Sequence, residues 1–325
     1  MQQSLSGARI VARLLGGGSR RLSDTLFRGF TLLLVLVVVV VIAGVTWVLV
    51  SNSMPTIQTF GWSFLTNQAF DPVHNVFGVG PAIFGTLVTS AFALIFAVPI
   101  GVGTAIFLVD FCPRPLQRPL AFIVELLAAV PSIIYGLFAF LALAPWLQSG
   151  LEPWLQKYLG FLPFFQGSFH GLSLLTAGVI LVIMVLPLIT SVSREVILTT
   201  PTAQREALLA LGATRWEVIR HAVLPYARIG ITGGVILALG RALGETMAVT
   251  LAIGNQASPI GPSLFNTGYT LSSVIANQFN EATPGLFFSA VIEAGLLVFI
   301  ITLITNIIAR LLIYSMGHRV GGLTT

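Results

Sequence analysis

Arg241 and Glu245 stand four residues apart in GRALGETMAV, residues 240–249, inside a run otherwise apolar enough to lie in lipid. An arginine at the centre of a membrane helix costs about 3 kcal/mol on the most lenient insertion scale, so it needs a partner or water. On a continuous helix the two side chains are within reach of each other. Two readings follow. Either the charges neutralise each other and clip one helix packing in place, or Arg241 offers its planar, permanently charged fork to a passing anion while Glu245 holds that fork. Two further carboxylates, Glu125 and Glu293, fall in apolar runs. Counting about 1.5 Å per residue, Glu293 reaches nearly the depth of Glu245 and becomes a second candidate partner for Arg241, or a protonated acid. Glu125 lies near the end of its run, where it reaches water.

The elements that position these groups follow from composition. Hydrophobic residues make up 56% of the 325 and charged residues 8%, against roughly 25% charged in a soluble domain. Runs long enough to cross a bilayer as helix recur, and none alternates as a barrel strand does. The fold class is therefore an all-α polytopic membrane protein. Spans are expected near 27–50, 83–109, 120–146, 173–193, 226–253 and 286–314, with a basic arm over 1–26 ahead of a membrane domain over 27–325. The first run is too long for a signal-peptide core and is read as uncleaved.

Arg9, Arg13, Arg20, Arg21 and Arg28 precede or open the first span. Arg114 and Arg118 follow the second, Arg194, Arg205, Arg215, Arg220 and Arg228 lie around the fourth connection, and Arg310 and Arg319 mark the tail. The other three connections hold one basic residue, Lys157. Both termini are thus expected on the cytoplasmic side. Dispersal of the basic residues between spans speaks against a nucleic-acid surface despite the net charge of +5. The aromatics Trp154, Tyr158, Phe161, Phe164 and Phe165 suit an amphipathic segment at the outer interface. Neither Cys112, alone, nor the scattered His74, His170, His221 and His318 have metal-ligand spacing, so no metal is expected. Pro131 removes a backbone hydrogen bond and predicts a kink in the third span, as a gate element or as packing geometry.

Along helix 230–252 the small residues Gly230, Gly234, Ala238, Gly244, Ala248 and Ala252 share a side with Arg241 and Glu245, with Leu237 the one bulky exception, so another helix or a solvent-filled path is expected there. The fourth connection, 194–225, reads as two short amphipathic helices with Gly212 at the bend and Pro225 starting the next span.

The stretch EALLALGATRWEVIRHAVLP resembles the EAA loop of ABC importer permeases, with Glu206, Ala207, Gly212, Leu224 and Pro225 at the matching places; Leu208 and Ala222 depart from the usual alanine and isoleucine. FGTLVTSAFALIFAVPIGVGTAIFL, VELLAAVPSIIYGL, LPLITSVSREV and GRALGETMAVTLAIGN further resemble the phosphate-specific branch of that family, PstC-type, from about residue 60 onward. The resemblance implies the type I, MetI-like permease architecture of about six helices in a bacterial or archaeal plasma membrane. It implies a PstA-type sister permease, two PstB-type ATPase subunits docking on 194–225, and a PstS-type phosphate-binding protein outside. The chain then needs no cofactor, since ATP and magnesium belong to the ATPase. Lys157, the only lysine, is followed by Tyr158, which rules out a P-loop here. Sulfate or molybdate in place of phosphate, a proton-coupled secondary transporter using Glu245 or Glu293, and a membrane sensor of the uptake assembly remain open alternatives.

Overall fold

The computed structural model describes residues 4–256 and 261–318, with side chains from 24 onward except 312, 313 and 315–318. The side chains of the basic arm before residue 24, and Arg319, lie outside the described ones. The helices are α1 (Ser4–Phe60), α2 (Gly80–Phe111), α3 (Arg114–Ala128), α4 (Ser132–Leu159), α5 (Leu174–Leu198), α6 (Thr202–Ala210), α7 (Arg215–Gly244), α8 (Met247–Ala252), α9 (Leu271–Gln278) and α10 (Leu286–His318). Among the described residues there is no strand, only isolated bridges at Asp71 with Val76 and Gly254 with Gly268. Among the described residues, six segments are long and apolar enough to cross a membrane: Asp24–Phe60, α2, α4, α5, α7 and Leu286–Leu311.

The described residues up to Asn52 form one compact unit and those from Ser53 onward a second. In the first, the apolar side chains from Leu26 to Val45 are exposed, as suits a helix solvated by lipid. Its polar groups are satisfied internally: Thr31 and Thr46 hydroxyls donate to the Phe27 and Ile42 carbonyls, each at 2.8 Å.

The second unit is built around α5, the most enclosed of the six spans. Helices α2, α3, α7 and α8 all pack against it. The contacts are close because small residues face bulky ones. A Cβ on Gly101 of α2 would lie 2.9 Å from Ile189, and on Gly230 or Gly234 of α7 2.6 Å or 2.9 Å from Val196 or Val192. The small-residue side of α7 is thus filled by α5 along Gly230 and Gly234. On the far side of α2, Gly85 sits so close to the Tyr269 carbonyl that no side chain fits. Beside it, the Leu271 amide donates to Thr86 Oγ1 at 2.9 Å, which seats α9 on α2. Thr270 caps α9 through a capping box with Ser273.

Three expected boundaries are corrected. The span placed at 120–146 is two helices: α3 ends at Ala128, and α4 starts after Pro131 and runs to Leu159 through π-turns at Ala139–Leu143 and Leu147–Leu151. Pro131, with φ −58° and ψ 138°, stands at a full break rather than a kink. Much of the connection expected at 147–172 is therefore helical, with Trp154, Tyr158, Phe161 and Phe164 exposed and the Phe165 ring 6.2 Å from Phe265. The span placed at 226–253 begins earlier, at Arg215, and ends at Gly244. Pro225 does not start it. A π-turn over Ile219–Val223 immediately precedes Leu224 and Pro225, and its wider ring of hydrogen bonding absorbs the proline inside one helix.

Candidate functional site

The charged turn that opened the sequence argument sits at a second helix break. Helix α7 ends at Gly244, Glu245 is extended at φ −67° and ψ 129°, and α8 resumes at Met247. Arg241 occupies the last turn of α7, where the unpaired carbonyls favour a cation. Glu245 stands just before α8, where free amides favour an anion, and its Oε1 accepts from the Ala248 amide at 3.2 Å. The expected helical pairing of Arg241 with Glu245 is replaced by this arrangement, and among the described residues the two form no ion pair. Each charge thus stands at the helix end whose backbone pole has the opposite sign. Both side chains are partly buried.

The two breaks lie side by side. A Cβ on Gly136, in the first turns of α4, would fall 3.1 Å from Ala248 Cα and 3.1 Å from the Met247 carbonyl. The preceding residue, Tyr135, is buried and donates its hydroxyl to the Leu127 carbonyl at 2.7 Å. In an unbroken helix that carbonyl would accept from residue 131, but a proline has no amide hydrogen. That carbonyl keeps the Val130 amide at 3.3 Å, and Tyr135 supplies a second, shorter donor. Tyr135→Phe removes the shorter bond, at a cost of about 0.5–1.5 kcal/mol. The expected result is a lower unfolding temperature of the purified protein in detergent, and an unchanged temperature would show the bond to be dispensable.

Beside the α7–α8 break is a cleft of about 470 Å³ lined by Gly244, Thr246, Met247, Ser272, Phe279 and Gly295, among others. Non-helical backbone is tolerated in a membrane where it borders such a cavity or is buried in protein. Glu293, two residues before Gly295, is 5% exposed, and its Oε2 has no hydrogen-bond partner among the described residues. It is not ion-paired with Arg241; its helix neighbours Ala290 and Ala294 pack with Phe64, Phe77 and Leu271. Glu125, which is exposed, pairs loosely at 3.9 Å with the partly buried Arg194.

At one end of the bundle, α6 and the start of α7 form the expected helix-bend-helix. Gly212 has φ +84°, and the bend closes with Gly212 N to Leu209 O at 3.0 Å and Ala213 N to Leu208 O at 3.1 Å, the paired bonds of a Schellman motif. Thr214 then opens α7 through a capping box with Glu217. Val218, Val223, Leu208 and Ala213 pack against Ala105 of α2 and Ile197 of α5. Glu206, Ala207, Leu209, Leu211 and Trp216 remain exposed, while Leu224 is partly buried and Pro225 exposed.

Sequence reasoning missed Asp110, which ion-pairs with Arg205 of α6 across 95 positions. It also missed Tyr135. Distances along the chain carry no signal for either contact; the one hint for Tyr135 was a hydroxyl four residues after a proline.

Comparison with known proteins fits this architecture. Residues 97–317 match the family model described as binding-protein-dependent transport system inner membrane component. The chain is 46% identical to the phosphate transport system permease protein PstC of Mesorhizobium japonicum, over 92% of this chain and 93% of that one. It is 44% identical to the protein of the same name from Haemophilus influenzae, over 92% and 95%. With PstC 2 of Mycobacterium tuberculosis the figures are 42%, 88% and 89%. Among solved structures, a bacterial alginate ABC transporter complex superposes with a TM-score of 0.54 at 18% identity, over 80% of this chain and 85% of that one, which supports the fold. These relatives are named as permeases, not enzymes. With six apolar helices, two of them flanking the break at Gly244 or Pro131, and this degree of identity along nearly its whole length, the chain belongs to the PstC-type permeases among the binding-protein-dependent transport system membrane components.

Proposed function

We propose that this chain is the transmembrane permease subunit of an ATP-driven importer of inorganic phosphate. The observation that carries the reading is the 46% identity, over 92% of the chain, to a relative named for phosphate transport. The geometry supports it in two places. Arg241, at the α7–α8 break, has the fork to hold a tetrahedral oxyanion, with Glu245 and Glu293 shaping the path. The exposed Glu206, Ala207, Leu209, Leu211 and Trp216, held on the Gly212 bend, suit a partner's groove, with Leu224 and Pro225 carrying the movement into α7.

In this reading the termini and 194–225 are cytoplasmic in a bacterial or archaeal plasma membrane. A PstA-type permease completes the path, two PstB-type subunits dock on the loops and consume ATP and magnesium, and a PstS-type protein delivers phosphate from outside. Nucleotide binding shifts the populations of inward-facing and outward-facing states. In the same reading the break at Pro131 borders the path and serves as a gate.

The test is radiolabelled phosphate uptake into proteoliposomes holding the complete assembly. Accumulation should require ATP on the ATPase side and persist in excess sulfate or molybdate. Preferential accumulation of either competitor would replace phosphate by that oxyanion. Uptake driven by a proton gradient without ATP would return the secondary transporter.

A further inference from the structure

We propose that Asp110 and Arg205 form the joint through which the docking loop pulls on the spans. This rests on the coupling role given to 194–225 above. The guanidinium of Arg205 grips two elements at once. Its Nη1 donates to Asp110 Oδ1, in the π-turn that ends α2, and its Nη2 donates to the Ile197 carbonyl at 2.9 Å, in the last turn of α5. The pair is largely enclosed, the two side chains being 21% and 14% exposed. Val109, next to Asp110, and Leu208, three residues after Arg205, belong to one apolar cluster with Ala105, Ile106 and Val196. In such surroundings charge interactions are screened less than at a wet surface.

The order of residues on α6 gives the joint its direction. Arg205 turns to the spans, and Glu206, the next residue and about 100° around the helix, is exposed. A partner bearing on the Glu206 face therefore loads a short helix whose polar attachment to the bundle is Arg205. Helix α6 is short and bounded on both sides, by Pro201 with extended backbone at one end and by the left-handed Gly212 at the other. The apolar contacts of Leu208 in α6 and Ala213 in the bend hold this segment close but are not directional. A planar fork bonded to both α2 and α5 does not slide, and a lysine could not make both bonds in one plane. The other pair at this end, Arg194 with Glu125, is 3.9 Å long with Glu125 60% exposed, so it carries little force.

Asp110 and Arg205 are thus positioning residues, and the readout is phosphate imported per ATP hydrolysed by the complete assembly. Asp110→Asn and Arg205→Lys should each lower that ratio about tenfold or more, while hydrolysis stays within about twofold of wild type. The exchange Asp110→Arg with Arg205→Asp restores the ion pair but not the bond to Ile197, and should recover about threefold over the single variants. Glu125→Gln, which removes the other pair from outside the docking segment, should leave the ratio unchanged. A normal ratio in Asp110→Asn, or an equal loss in Glu125→Gln, overturns the joint. If Asp110→Asn fails to assemble, Arg205→Lys decides; failure of both reduces the pair to a folding element and overturns the proposal as well. If the wild-type assembly imports another oxyanion, only the substrate reading fails, and the same ratio is measured for that oxyanion.

Discussion

Arg241→Ala should abolish phosphate uptake by the complete assembly, by about a hundredfold or more, with the subunits still assembled. The size follows from what the fork supplies. Hydrogen bonds to charged groups are each worth about 1.5–3 kcal/mol, and a guanidinium can offer two to one anion. Losing both removes about 3 kcal/mol or more, hence about two decades in an equilibrium or a rate. Arg241 does not spend its charge on Glu245, since the two form no ion pair and Glu245 accepts instead from the Ala248 amide. Arg241→Lys separates charge from geometry: the ammonium retains attraction but not the paired donors, so uptake should fall between wild type and alanine. Measured uptake rates, with subunit stoichiometry checked by gel filtration, decide the matter. Normal transport by Arg241→Ala would make this charge a helix-end packing feature, complementary only to the α7 carbonyls.

The spans were legible because a lipid-crossing helix announces itself by length and apolarity alone. The Gly212 bend was legible because a glycine between two amphipathic segments is the residue that adopts φ +84° without strain. The break after Gly244 was not. GRALGETMAVT contains no proline, and its apolar periodicity runs straight through the turn. What ends α7 there is tertiary: α8 packs on α4 at Gly136 and on α5. Pro131 was read as a kink, because a lost hydrogen bond does not say whether a helix bends or stops. The answer depended on Tyr135 reaching back to Leu127 and on α4 continuing to Leu159, which left α3 as a separate helix. Pro225 shows the opposite error, since a π-turn let α7 absorb it. The Asp110–Arg205 pair is invisible to any reading by spacing, because packing of α2 against α5, and of the loop against both, brings the two residues together.

Gly212→Val should disconnect the docking loop where Gly212→Asn does not. Steric crowding is not the cause, because a Cβ at this position meets nothing within 4 Å. The difference lies in the backbone. Left-handed geometry costs an L-residue about 1–2 kcal/mol, with asparagine among the few that visit it routinely, and a branched Cβ makes the residue a genuine outlier there. At φ +84° valine therefore competes against the two bonds that close the bend, from Gly212 N and Ala213 N to the Leu209 and Leu208 carbonyls. A penalty of one or two kcal/mol shifts a local equilibrium about 5–30-fold. Once the bend opens, Leu209, Leu211 and Trp216 no longer present one surface, and Arg205 loses the fixed helix that aims it at Asp110. Uptake and retention of the ATPase on the purified permease pair should both fall about tenfold for valine and stay within about twofold of wild type for asparagine. Equal loss in both variants would mean that the glycine is required for close approach by the partner rather than for the shape of the loop, since the isolated chain leaves that space open.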